Sequence, residues 1–80
     1  MTTYTYESVQ RIMGVSKTLR SSIEAPAGME FMVEALSENS HVIRFFEDLK
    51  LAKRFGNAFN RKADNQDAYA SYQIFPLTQK

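Results

Sequence analysis

Eighty residues with a formal net charge of +1 and no cysteine exclude a disulfide framework, a thiolate metal site and a general nucleic-acid or membrane footprint over the whole surface. A chain this short makes one domain, residues 1–80, and buries about 60 to 65 per cent of the surface its unfolded form exposes, which leaves room for a partner or a second copy to contribute stability. No apolar run approaches the roughly 18 residues that cross a membrane, and the opening lacks the order of a signal peptide, so a cytoplasmic protein is expected.

The opening, MTTYTY, alternates threonine with aromatic residues and has strand propensity, giving an extended N-terminus over residues 1–5. From Thr5, a plausible cap, the spacing becomes helical: Tyr6, Val9, Ile12, Met13, Val15, Leu19 and Ile23 share one side, with Glu7, Arg11, Lys17 and Ser21 elsewhere. A first helix over residues 6–24 is predicted, stopped by Ala25, Pro26, Ala27 and Gly28. The next stretch predicts a second helix over residues 28–37, with Met29, Met32, Val33 and Leu36 inward and Glu30, Glu34 and Glu38 as an acidic outer line. Phe31 lies away from that inward face, beside Met32, and fits a protein-binding surface unless the tail covers it.

After a break at Ser37–Ser40 the longest apolar pattern begins. At about 100° per residue, Val42, Phe45, Phe46, Leu49, Ala52, Phe55 and Phe59 cover an arc of roughly 180°. Lys50, Arg54 and Arg61 fall together on another side. A third helix over residues 40–61 is predicted as the central member of the domain, with Gly56 on its apolar side marking a close approach or an early end. Residues 63–80 form a polar loop, ADNQD, and a C-terminal segment, AYASYQIFPL, that is either extended or a last helix. If extended, it can pair with the N-terminus as a short two-stranded ribbon. The predicted fold is therefore mainly α, a small three-helix bundle.

One local pattern resembles the helix-turn-helix DNA-binding module. In YESVQRIMGVSKTLRSSIE, Val9 lies five positions before Gly14, Val15 and Ser16 follow the glycine, and Lys17, Thr18, Ser21 and Ser22 occupy the place of the recognition helix. The resemblance covers about 20 residues and implies a DNA-binding regulator with Ser16, Lys17, Thr18, Arg20 and Ser21 as its contacts. Gln10 stands where the family has a small residue, and Leu19 falls one step before the core position, which Arg20 occupies. Spacing by itself describes one unbroken amphipathic helix.

Charge is segregated along the chain. Residues 24–38 carry Glu24, Glu30, Glu34 and Glu38 with no base, whereas residues 50–62 carry Lys50, Lys53, Arg54, Arg61 and Lys62 with no acid. The basic aromatic run LKLAKRFGNAFNRK has the residue types of an RNA or DNA contact. Phe55 and Phe59 point away from the Lys50, Arg54 and Arg61 line at helical spacing, however, so the run reads first as a solvated face or one that meets an acidic partner, with nucleic-acid contact as the alternative. Glu38 and His41 have the Glu-x-x-His spacing of metal sites in helix bundles, but the chain has one histidine, so no metal site, cofactor or catalytic set is expected. The function expected is a small non-enzymatic protein-binding module, an inhibitor, adaptor or assembly factor, using Glu30, Phe31, Glu34, Glu38, Lys50, Arg54 and Arg61. Its partner would be another protein or protein complex, or a second copy in a homodimer. The alternative is the DNA-binding regulator.

Overall fold

Threonine, serine, tyrosine, valine and isoleucine crowd both sides of Met13–Gly14, and β-branched and aromatic side chains favour a pleated, half-buried strand. In the computed structural model, which describes residues 1–66 and 68–80, these two runs form a hairpin. Strand β1 (Thr2–Ile12) pairs antiparallel with β2 (Val15–Ala25), in register from Thr2↔Ala25 to Ile12↔Val15. Met13 and Gly14 are the whole loop, with φ of 52° and 82°. Positive φ at both central residues defines a type I′ turn, whose twist matches the strands it joins.

The predicted helix over residues 6–24 is thus corrected to two strands. Its apolar spacing misled for a geometric reason: residues four apart share a face in a helix and in a strand alike. Val15, Leu19 and Ile23 obey both periods, and across the two-residue loop they sit on the same face as Tyr4, Tyr6 and Ile12.

The second sheet has the order β4-β3-β5, built from β3 (Phe31–Ser37), β4 (His41–Phe46) and β5 (Ala70–Pro76), all antiparallel. Central β3 buries side chains on both faces, Val33 and Ala35 on one and Met32 on the other. A strand covered on both sides reads as an unbroken apolar run rather than an alternation. For that reason FMVEAL looked helical, and the helix predicted over residues 28–37 is corrected to β3. The third helix is corrected too. Residues 41–46 are β4, and the helix α1 runs from Leu49 to Asn65. Asp48, extended at φ −141° and ψ 136°, caps it by accepting a hydrogen bond from the Lys50 N–H at 2.6 Å. Of the polar run ADNQD, Ala63, Asp64 and Asn65 belong to the last turn of α1, Gln66 follows it, and Asp67 lies outside the described residues.

Leu77 then carries the chain from one sheet to the other. Strand β6 (Thr78–Gln79) pairs with β1 at Tyr4↔Gln79 and Thr5↔Thr78, so the two ends of the chain meet through residues 78–79. In place of a three-helix bundle, or any small helical domain, the described residues form one helix and two three-stranded antiparallel sheets, β2-β1-β6 and β4-β3-β5.

Packing follows from the strand faces. The face of β4-β3-β5 bearing Val33, Ala35, Val42, Phe46, Tyr72 and Ile74 receives α1 through Ala52, Gly56 and Ala63. Phe46 and Phe55 have ring centroids 5.5 Å apart across that contact. The opposite face bears Met32 and Phe75 and meets the base of the hairpin, where Tyr6 and Phe75 lie 5.4 Å apart. Helix, sheet and hairpin base are three successive layers. The hairpin outruns them: the Cα radius of gyration is 13.8 Å, against about 11.6 Å for a compact chain of this length.

Candidate interaction surfaces

Beyond Thr5, strand β1 has no paired strand among the described residues on the side that β6 occupies, because their pairing ends at Thr5↔Thr78. From Val9 to Arg20 every residue is exposed, so the distal hairpin is an arm held by its own ladder alone. At its tip the arm shows apolar side chains to water: Met13 is 97% exposed and Val15 57%, with Ile12 opposite Val15 in the last pair, while Val9, 71% exposed, lies farther down on the reverse face, opposite Thr18. Closer to the body, Leu19 overhangs Glu34 and Ile43 of the sheet across a cleft of about 300 Å³. The arm is cationic, with Arg11, Lys17 and Arg20 and no acid between Ser8 and Ile23. Arg20 Nη2 meets Glu7 Oε1 at 2.9 Å, both side chains being more than half exposed, and such a pair adds little to stability.

A second surface lies on the other side of the sheet. On α1, Lys50, Arg54 and Arg61 face away from the buried Ala52, Gly56 and Ala63, as 100° per residue requires. Among the described residues, none of Lys50, Lys53, Arg54, Arg61 and Lys62 is in an ion pair. Where α1 leaves β4 there is a groove of about 540 Å³ whose wall combines Val42, Phe55 and Phe59 with Arg44 and Lys62. Phe55 and Phe59 are half-buried, with ring centroids 6.4 Å apart.

The residues singled out from sequence are distributed across these surfaces rather than gathered in one. Ser16, Thr18 and Arg20 lie on one face of the arm, while Lys17 and Ser21 lie on the other. The segment that resembles a helix-turn-helix forms two strands here, so these side chains project from a ribbon. Lys50, Arg54 and Arg61 share the outer face of α1, as their spacing predicts. The acidic line spreads out. Positions eight apart are about 12 Å apart on a helix but about 27 Å on a strand. Glu30 precedes β3, and Glu34 Oε2 meets His41 Nε2 at 3.0 Å across β3 and β4. Glu38, in the turn after β3, accepts a hydrogen bond from the Tyr69 N–H at 3.4 Å. Phe31 is half-buried on the helix side of β3, opposite Phe46 and Pro76.

Sequence reasoning missed the arm itself, because it assigned Val9, Ile12, Met13, Val15 and Leu19 to the inner side of a helix. The available signal was a residue followed by glycine between two runs rich in threonine, serine and β-branched side chains, a pattern that reads as a two-residue hairpin. Comparison with protein-family models, with curated proteins and with solved structures finds no match. Among the described residues, no helix is long and apolar enough to cross a membrane.

Proposed function

We propose that this chain is a non-enzymatic protein-binding module, an adaptor or assembly factor, that grips its partner with the β1–β2 arm. The observation that carries the reading is the apolar tip, where Ile12, Met13 and Val15 stand exposed together around the turn, with Val9 exposed on the reverse face of the same ribbon. Single exposed apolar residues are ordinary, but a cluster on a projecting ribbon is a contact surface. Full burial of side chains of this size is worth about 1.5 to 3 kcal/mol each, so a partner that covers three of them gains enough to offset ordering the arm. The open edge of β1 beyond Thr5 adds main-chain donors and acceptors to the same surface.

The test places a photo-crosslinking amino acid at Met13 and irradiates cells that make the full chain. A discrete crosslinked protein is expected, and it should vanish when Val9→Ser, Ile12→Ser and Val15→Ser are combined. The triple variant should keep its circular dichroism spectrum, with the thermal midpoint lowered by a few degrees at most, since it loses only the Ile12–Val15 cross-strand pair and some strand propensity in the distal arm, away from the core. Only a diffuse smear of products, or a product indifferent to the triple substitution, would sink the reading. The mass of the product also tells a second copy from another protein.

A further inference from the structure

We infer that the groove between α1 and β4, with the outer face of α1 beside it, is a binding site for single-stranded nucleic acid. On sequence spacing the phenylalanines and the Lys50, Arg54 and Arg61 line point apart. The structure adds what spacing on one helix could not supply: Arg44 comes from β4, and with Lys62 it stands at the same groove as Phe55 and Phe59. Ala58 lies both on that groove and on the shallow concavity formed by Lys50, Lys53, Arg54, Asn57 and Arg61. Aromatic floor and basic wall are therefore continuous, by way of a side chain small enough to leave the passage open.

Charge decides the class of occupant. Residues 50–62 contribute five bases and no acid in a chain whose net charge is only +1, and Arg44 adds a sixth base from the sheet. So local an excess complements an extended polyanion. A small anion would fill the groove and leave Lys50, Arg54 and Arg61 unused, whereas the helix offers about 25 Å of track. An anionic membrane is a poorer fit because the large apolar side chains that α1 exposes, Leu49 at 39% and Leu51 at 45%, are confined to its first turn and do not form a face along the helix that could insert. Duplex nucleic acid presents phosphates but keeps its bases stacked inside, which leaves the half-buried Phe55 and Phe59 without a role. A single strand presents both groups. Its phosphates meet the cations with release of counterions, and its unstacked bases lie against the rings. The site lies on the face of β4-β3-β5 opposite the hairpin, so it is independent of the arm and both can be occupied together.

The experiment is fluorescence anisotropy of the full chain with a labelled oligothymidine, against a duplex of equal length and with polyglutamate as competitor. The single strand should bind at least tenfold tighter than the duplex, and polyglutamate should displace it poorly. Arg44 and Lys62 are exposed, so Arg44→Gln with Lys62→Gln should leave the fold intact. That double variant should weaken binding about tenfold and flatten the log–log salt dependence by about 1.4, at about 0.7 for each phosphate that is no longer neutralised. Ala58→Glu, which places a carboxylate in the passage while leaving both phenylalanines in the sequence, should abolish binding. Equal affinity for duplex, equal displacement by polyglutamate, indifference to these variants, or no binding at low salt would each overturn the proposal.

Discussion

The ring of Tyr72 occupies the space that a side chain on Gly56 would need. A Cβ built on Gly56 would lie 2.5 Å from Cδ2 and Cε2 of that ring, closer than carbon atoms can pack. The ring is held from its far end as well, since the Tyr72 hydroxyl donates a hydrogen bond to Asn57 Oδ1 at 2.9 Å, one residue along the helix. Gly56 therefore lets α1 lie close on β5, and Ala52 and Ala63 keep the same buried side of the helix thin.

From this contact we predict opposite signs for one substitution in two backgrounds. Alanine in a helix interior is favoured over glycine by about 1 kcal/mol, but forcing a methyl group into a packed interface costs about 1 to 3 kcal/mol. Gly56→Ala should therefore destabilise the protein by up to about 2 kcal/mol in urea unfolding. With Tyr72→Ala already present, the same change should stabilise it, because only the helical preference remains. A stabilising Gly56→Ala in the otherwise unaltered chain would show that the ring moves aside freely.

Tyr4 supports a second prediction. It is 3% exposed, and its hydroxyl donates to the Pro26 carbonyl at 2.9 Å and accepts from the Met29 N–H at 3.2 Å. One phenol thereby satisfies two backbone groups in the crossing between the sheets. Tyr4→Phe removes both bonds while keeping the ring, and unpaired part-buried groups cost about 1 to 3 kcal/mol. The urea midpoint should fall accordingly with the slope of unfolding unchanged. A decrease below about 0.5 kcal/mol would mean that water replaces the hydroxyl at both positions.

The parts of this fold that were legible in the sequence are those whose period is unambiguous. Lys50, Arg54 and Arg61, with Ala52, Phe55 and Phe59 on the other side, obey a repeat near 3.6, and they do form a helix. The N-terminal threonines and tyrosines alternate, and they do form a strand. Elsewhere the period was degenerate. Val15, Leu19 and Ile23, like Glu30, Glu34 and Glu38, recur every four residues, which a helix and a strand satisfy equally. Apart from Glu34, residues 31–36 are apolar on both faces because α1 covers one side of β3 and the hairpin base the other, and only long-range pairing reveals that. The groove of Phe55, Phe59, Arg44 and Lys62 was illegible for a similar reason, since Arg44 reaches it from a different element.

Met13 gives the last prediction, because at this residue the needs of the fold and of the proposed function diverge. It sits at φ 52° in the first central position of a type I′ turn, where asparagine is favoured and a long unbranched side chain is not. Nothing in its own chain compensates: the side chain is 97% exposed. A left-handed backbone outside glycine costs about 1 kcal/mol or more, so a residue chosen for folding alone would not stand here. Met13→Asn should relieve about 0.5 to 1 kcal/mol of that strain and raise the thermal midpoint by about 2 to 8 °C. It should also remove the most prominent apolar group of the arm, and so weaken capture of the partner found by crosslinking. A midpoint that fell would show that the methionine packs on its own fold. A midpoint that rose with partner capture unchanged would show that Val9, Ile12 and Val15 carry the contact without it.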